Sequence, residues 1–323
     1  MSSMNDLRLF SGSSNPKLAS DIASNLGISV GDMTLRRFSD GEVWVQINES
    51  VRGKDVFVIQ SGCCPVNDNV MELLIILDAL RRASARRINV VMPYYSYSRQ
   101  DKKVKPRQPI TAKLLANLID TAGADRLLAL DLHAGQLQGF FDMPVDNLYA
   151  GPIIADYLKK NVTTHNNAVV VSPDVGGVTR ARAMAEVLGT PIAIIVKRRP
   201  EPNRSEVMEV IGDIAGRSCI MVDDMIDTGG SIVSGAKALA ERGAKDVYAA
   251  CTHGIFSGDA VAKLEDSLIK QVISTDTIPL PPEKLTGKMV ILSVAPILAD
   301  AIRRIHKESS VSQLFEGSWT GQS

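Results

Sequence analysis

Residues 220–233 read IMVDDMIDTGGSIV. An apolar run closes on two adjacent acids, Asp223 and Asp224. Asp227-Thr228-Gly229-Gly230-Ser231 follows, and then a helical pattern begins. In open α/β sheets, ligands bind at the carboxyl ends of the strands. A glycine turn entering a helix bares backbone N–H groups, and the helix start carries partial positive charge, so this end is a phosphate site. Thr228 and Ser231 add hydroxyl donors, while Gly229 and Gly230 let the backbone approach an anion closely. Asp223 and Asp224 then face a polyol, because carboxylates accept hydrogen bonds from vicinal hydroxyls. The pattern fits a sugar phosphate. The plainer account, a strand followed by an Asp-capped turn, requires one acid and not three.

Outward from this stretch, short β-branched runs alternate with helical patterns. VFVIQ, INVVM, LLALD, AVVVS, PIAIIV, CIMVD and VYAACT are mostly apolar throughout, as in strands covered on both faces. MELLIILDALRRASA, AKLLANLID, TRARAMAEVL and SIVSGAKALAERG read as helices, and Gly123, Gly189 and Gly243 suit left-handed C-caps. The expected fold is α/β, with mainly parallel sheets flanked by helices. LLALDLHAGQLQGFF repeats the strand, acid, glycine loop and helix order of residues 220–233. Two related domains are therefore expected, residues 1–150 and 151–323, joined around 143–152. VWVQIN alternates and is bounded by charged turns, as an exposed hairpin strand would be. RQDKKVKPRQP and KRRPEPNRSE are cationic and proline-containing; each is either a solvated loop or a basic flap closing over an anionic ligand.

Composition limits the partners. Across 323 residues, 36 lysines and arginines balance 36 aspartates and glutamates, which gives no support for nucleic-acid or membrane-surface binding. No apolar stretch approaches the roughly 18 residues of a membrane span, and MSSMNDLRLF lacks signal-peptide character. Cys63-Cys64 has no metal-ligand spacing, and Cys219 and Cys251 lie in apolar runs. Buried free thiols and a cytoplasmic location are expected.

IMVDDMIDTGGSIV resembles the phosphoribosyl-diphosphate binding motif of the phosphoribosyltransferase fold, which serves both transferases and a synthetase. FSDGE (38–42), YYSYSRQD (94–101), ALDLHAGQLQGFF (129–141), VVSPDVGGVTRAR (170–182), KRRPEPN (197–203), THGIFSG (252–258) and SVSQLF (310–315) occur in the order seen in ribose-phosphate pyrophosphokinases. Over nearly its whole length the chain resembles that family, in its phosphate-activated class. A phosphoribosyltransferase would account for the acid-glycine stretch but not for FSDGE, RQD or KRR. A non-catalytic regulatory subunit of the same fold should have lost a catalytic group, yet His133, Asp174, Lys197 and Asp227 are all present.

The resemblance implies two phosphoribosyltransferase-like domains and transfer of diphosphate from MgATP to the 1-hydroxyl of ribose 5-phosphate. Such a transfer depends on positioning and charge neutralisation. Lys197 and Arg199 alternate in an extended segment and so point to one side. The resemblance makes Lys197 the central catalytic residue and Arg199 its partner on phosphate. It implies ribose 5-phosphate contacts by Arg199, Asp223, Asp224, Asp227, Thr228, Gly229, Gly230 and Ser231. It also implies magnesium binding by His133 and Asp174, and ATP contacts by Arg99, Gln100 and Asp101. FSDGE, alone a plain turn, becomes the adenine loop: Phe38 stacks, Asp40 and Glu42 make polar contacts, and Gly41 turns the chain. In the family this loop serves a neighbouring subunit, so a homo-oligomer, a hexamer built from dimers, is expected. The resemblance further implies phosphate and ADP as effectors at Ser50, Arg52, Ser310 and Ser312. Ser231 stands where many members have threonine, and Val175 replaces a histidine common in bacterial members.

Overall fold

A computed structural model describes residues 4–163, 167–198 and 207–314. The chain divides into two compact units. Unit one comprises Met1–Leu148, Thr277–Pro279 and Ser293–Leu314; unit two contains Tyr149–Asp276 and Leu280–Leu292. The sequence assigns everything after residue 150 to the second domain. The structure differs because the chain returns to unit one, where its last helix is buried.

Unit one runs β1 (Leu7–Ser11), α1 (Pro16–Leu26), β2 (Met33–Arg37), β3 (Val43–Ile47), β4 (Asp55–Ile59), α2 (Val66–Arg82), β5 (Arg87–Met92), α3 (Thr111–Ala122), β6 (Arg126–Leu130) and β7 (Val145–Leu148). Its five-stranded sheet has the order β1-β4-β5-β6-β7 and is parallel throughout. Val56, Val58, Val90, Met92, Leu127 and Ala129 pack one face of this sheet against Leu73, Ile76, Leu77 and Leu80 of α2 and Leu115 and Ile119 of α3. β2 and β3 form the antiparallel hairpin. It is not exposed on both sides: Met33, Leu35, Val45 and Ile47 pack against the unit-one core, which removes its alternating apolar residues from water.

Unit two runs α4 (Gly151–Asn161), β8 (Ala168–Ser172), α5 (Val178–Leu188), β9 (Ile192–Arg198), β10 (Val207–Ile211), β11 (Ser218–Ile226), α6 (Gly230–Glu241), β12 (Asp246–Gly254), α7 (Ala260–Glu265), β13 (Ile269–Thr275) and β14 (Met289–Leu292). Its sheet has the order β10-β9-β8-β11-β12-β13-β14, parallel except for β10 against β9. From β8 the chain winds through α5 to β9 on one side. From β11 it winds through α6 to β12 on the other. The topological switch point of unit two therefore lies between β8 and β11, where an α/β sheet opens a crevice at its carboxyl end.

The last helix, α8 (Ala295–His306), packs against α1 in unit one and buries Leu298, Ala299, Ile302 and Ile305. Its C-terminal His306 is fully buried and its Nδ1 lies 2.8 Å from Asp55 Oδ2. Asp55, also fully buried, accepts further bonds from Arg87 Nε and Nη2 (2.8 and 2.5 Å) and from Asn89 Nδ2 (2.8 Å). Arg87 and His306 hold its carboxyl below the usual range against the opposing effect of burial.

The two stretches that look alike in sequence diverge here. After β11 the chain enters a full α-helix, but after β6 it forms only a 3-10 helix, Gly135–Phe140. Gly135 and Gly139 weaken an α-helix there, and Pro144 follows closely. Only Leu137 of this turn is buried, so little packing favours a longer helix.

Candidate active site

In unit two the opening stretch builds one end of the switch point. β11 does not close at the acids; it continues through Asp223 and Asp224 to Ile226, pairing with β12 along that length. Its pairing with β8 ends at Met221 opposite Val171, so the acids stand beyond the carboxyl end of β8. Asp224 is buried and Asp223 is about 25% exposed. Asp223 Oδ1 accepts the Asp224 N–H at 2.9 Å. Arg180, in the first turn of α5, places Nη1 3.4 Å from Asp223 Oδ1 and 3.5 Å from Asp224 Oδ1. Burial first, and then the neighbouring Asp224, push the Asp223 carboxyl up to about 7, with Arg180 opposing them.

The turn after β11 leads directly into α6. Gly229 is its N-cap with φ 74°, a left-handed conformation that side chains rarely adopt, and it offers no capping side chain. Thr228 and Ser231 are exposed, and Gly230 is half-buried. This first turn lies at the positive end of a 12-residue helix, where backbone N–H groups lack intrahelical acceptors. Asp227 O receives the Ser257 N–H at 3.1 Å, which fixes the turn against the segment after β12.

Asp174 is exposed in the turn between β8 and α5. Its Oδ1 accepts the Gly177 N–H at 2.9 Å, and its carbonyl accepts the Ser172 hydroxyl at 2.6 Å. Val175, at the departing position, is also exposed. The backbone of Lys197 lies in β9 opposite Met208 of β10. Arg199 and the rest of segment 199–206 lie outside the described residues.

Unit one carries the other expected residues on the loops following its strands. Beyond β5, buried Tyr94 and Tyr95 anchor the loop, and Tyr95 Oη donates to Ala112 O at 2.8 Å. Arg99 and Gln100 are exposed. The Gln100 side-chain oxygen accepts from Thr111 Oγ1 at 2.5 Å, which ties the loop to the start of α3. Asp101 Oδ2 accepts from Gln136 Nε2 at 3.2 Å, so the RQD loop and the loop that carries His133 meet. His133 itself is exposed beyond β6. It follows Asp131, whose φ of 40° is positive without glycine, a strained position of a kind that gathers at functional sites. Residues 102–109 are exposed and turn on Gln108, whose side-chain oxygen accepts from Val104 N and Lys105 N.

Phe38 through Glu42 close the β2–β3 hairpin. Phe38 N donates to Glu42 O at 2.8 Å, Gly41 N to Phe38 O at 2.9 Å, and Glu42 N to Asp40 Oδ1 at 3.1 Å. These bonds shape the turn, in which Phe38 is 55% exposed. Ser50 and Arg52 are exposed before β4. Ser310 and Ser312 are exposed after α8, where Arg304 Nη1 donates to Ser310 O at 3.0 Å.

Arg180 is the side chain at this acid pair that sequence reasoning did not single out. It sits inside the quoted VVSPDVGGVTRAR, but nothing in its spacing reveals a contact with acids 43 residues away. The thiols also need a correction. All four cysteines are free, yet Cys64 is exposed while Cys63, Cys219 and Cys251 are buried. Cys64 directly precedes Pro65 at the start of α2, where its side chain is not taken into the sheet.

Residues 7–123 match the N-terminal domain of ribose phosphate pyrophosphokinase, and residues 199–316 match the phosphoribosyl synthetase-associated domain. A ribose-phosphate pyrophosphokinase from Clostridium tetani is 56% identical over 311 residues, 96% of this chain and 97% of its own. The chain belongs to the ribose-phosphate pyrophosphokinase family. Another member, from Bacillus caldolyticus, is 56% identical over 96% of this chain and 98% of its own. The fold agrees. The crystal structure of phosphoribosylpyrophosphate synthetase from Mycobacterium smegmatis superimposes with a TM-score of 0.90 at 44% identity, covering 94% of this chain and 100% of that one.

Proposed function

We infer that the chain transfers the diphosphoryl group of MgATP to the 1-hydroxyl of ribose 5-phosphate, giving 5-phosphoribosyl 1-diphosphate and AMP. The observation that carries this reading is the near-full-length identity to ribose-phosphate pyrophosphokinases, joined to an acid pair and a phosphate turn at the switch point of unit two. The 1-hydroxyl oxygen bonds to the β-phosphorus and gives up its proton to solvent as the bond from that phosphorus to the α,β-bridging oxygen breaks. AMP leaves with the bridging oxygen.

Each group has a chemical task. The turn of Thr228, Gly229, Gly230 and Ser231 takes the 5-phosphate on backbone N–H groups and hydroxyls, and Asp227 fixes the turn. Asp223 and Asp224 accept hydrogen bonds from the vicinal hydroxyls of the ribose. Lys197 and Arg199 neutralise charge on the transferring diphosphoryl group, with Arg199 also meeting the sugar phosphate. Arg99, Gln100 and Asp101 hold ATP, and Phe38, Asp40, Gly41 and Glu42 receive adenine from a neighbouring subunit.

His133 and Asp174 would hold magnesium. Both are exposed, at the carboxyl ends of β6 and β8. Among the described residues no three His, Cys, Asp or Glu side chains cluster as a cage. A carboxylate with an imidazole leaves most positions of a hard cation to water and phosphate oxygens, as magnesium prefers. When bound, the ion would neutralise charge on the β- and γ-phosphates.

We further propose a homo-oligomer, a hexamer built from dimers, with phosphate as activator and ADP as inhibitor at Ser50, Arg52, Ser310 and Ser312, working in the cytoplasm. Among the described residues no helix is long and apolar enough to cross a membrane. The deciding assay incubates the purified protein with MgATP and ribose 5-phosphate, without any nucleobase, and measures AMP. Stoichiometric AMP and phosphoribosyl diphosphate are expected. AMP formation that requires a base, or none at all, would overturn the reading.

A further inference from the structure

Asp223 and Asp224 are consecutive strand residues, so their side chains leave toward opposite faces of the sheet. Asp223 shares a register pair with Cys251, which belongs to the core packed against α6. One group can touch both acids only beyond the end of the neighbouring strand. The pairing of β8 with β11 stops at Val171 and Met221, which leaves that space open. Arg180 occupies it from α5, with one guanidinium nitrogen 3.4 Å from one carboxylate and 3.5 Å from the other.

The acids need such a partner. Two carboxylates side by side repel, and burial disfavours charge on both. An ionised carboxylate only accepts hydrogen bonds, whereas a protonated one presents a donor to hydroxyls that must themselves donate. Among the described residues, strand register places the titratable Cys251 and His253 of β12 opposite Asp223 and Met225, and Asp227 follows in the turn beyond β11. Burial pushes the Cys251 thiol up to about 12, so it stays neutral near pH 7.

We propose that Arg180 is the positioning residue of the sugar site: its guanidinium orients Asp223 and Asp224 and favours their ionised form as acceptors for the vicinal hydroxyls of a phosphorylated pentose. This rests on the ribose 5-phosphate reading above. Arg180 acts through the acids and not on the substrate itself. Lysine is a partial substitute, because it keeps the charge but not the longer reach and planar head of the arginine.

The test compares the full-length parent with Arg180→Met and Arg180→Lys. Initial rates of AMP release are measured against each substrate between pH 5.5 and 9. Ribose 5-phosphate binding is measured by calorimetry in the presence of a non-hydrolysable ATP analogue, and folding is followed by circular dichroism. Arg180→Met is expected to raise KM for ribose 5-phosphate about tenfold, with calorimetric affinity falling in parallel, while KM for ATP stays within about twofold. The acid limb of kcat/KM for ribose 5-phosphate should move to higher pH by about one unit, because removing a cation raises the pKa of the acids it faces. Arg180→Lys should recover part of both effects.

An equal change in both KM values, or an acid limb that stays in place, overturns the assignment. If Arg180→Met does not fold, Arg180→Lys decides by the same limb, with a smaller shift expected and none refuting. A parent that makes no AMP from ATP and ribose 5-phosphate defeats the underlying reading. An active parent with an unmoved limb in the variants defeats only the role of Arg180.

Discussion

Asp223→Asn should make the protein more stable and less active. Asp223 has an ordinary value of 3.8 that burial and Asp224 push up to about 7 in the folded protein. The folded state therefore binds more protons than the unfolded chain between about pH 4 and pH 7, and stability falls as pH rises through that window. A shift of roughly three units corresponds to about 4 kcal/mol of destabilisation once the pH exceeds the folded value. Asparagine keeps the oxygen that receives the Asp224 N–H and removes the charge. The gain should thus be about 4 kcal/mol at pH 8 and shrink to about 2 kcal/mol at pH 5, where the folded carboxyl is already protonated. Urea denaturation at both pH values, followed by a spectroscopic probe in unit two, measures the difference. Ribose 5-phosphate affinity should fall in the same variant. A destabilised Asp223→Asn at pH 8, or an equal gain at both pH values, would refute the reasoning.

Lys197→Ala should retain its fold and lose about 10²–10³ in turnover, the usual cost of removing one transition-state charge partner; near-normal rates would take Lys197 out of the mechanism. Phe38→Ala should weaken ATP, and mixing it with Lys197→Ala should restore activity if the adenine loop crosses subunits; the idea fails if subunits exchange and no activity returns. His306→Ala should lower stability by about 2–3 kcal/mol, since it removes a hydrogen bond to a buried charged group and opens a cavity; a change under about 0.5 kcal/mol in chemical denaturation would mean the Asp55 cluster holds without it. Arg52→Ala or Ser310→Ala should reduce phosphate activation and ADP inhibition together, even at saturating ATP; two unchanged responses would place the effectors elsewhere.

Strands β4, β5, β6, β8, β9, β11 and β12 were legible because each is a short, mostly apolar run between turn residues; β1, β7, β10, β13 and β14 were not read, β7 and β14 being short and only partly buried. Asp223, Asp224 and the glycine turn were legible because their chemistry is written in consecutive residues. Arg180 was not, since it lies on α5 and its partners on β11, and only the β8–β11 pairing brings them together. The extension of β11 through its acids was hidden for a related reason: adjacent aspartates read as a strand end, and pairing with β12 overrides that preference. The short 3-10 helix after β6 was hidden by the resemblance of its flanks to those of α6. The return of α8 to unit one was invisible as well, because an amphipathic helix reveals that it has a buried face but not which core receives it.

That return has a consequence for how the protein is made. The core of unit one joins residues near position 10 to residues near position 300, so the first half of the chain leaves the ribosome without one of its covering helices. Unit two, apart from β14, is contiguous from Tyr149 to Asp276 and can gather its strands as they emerge. Until residue 306 is free, Asp55 lacks its histidine, and the apolar face of α1 lacks the helix that shields it. Contacts this distant in sequence close slowly. The nascent first unit is therefore the stretch most exposed to chaperones and to premature association during vectorial synthesis.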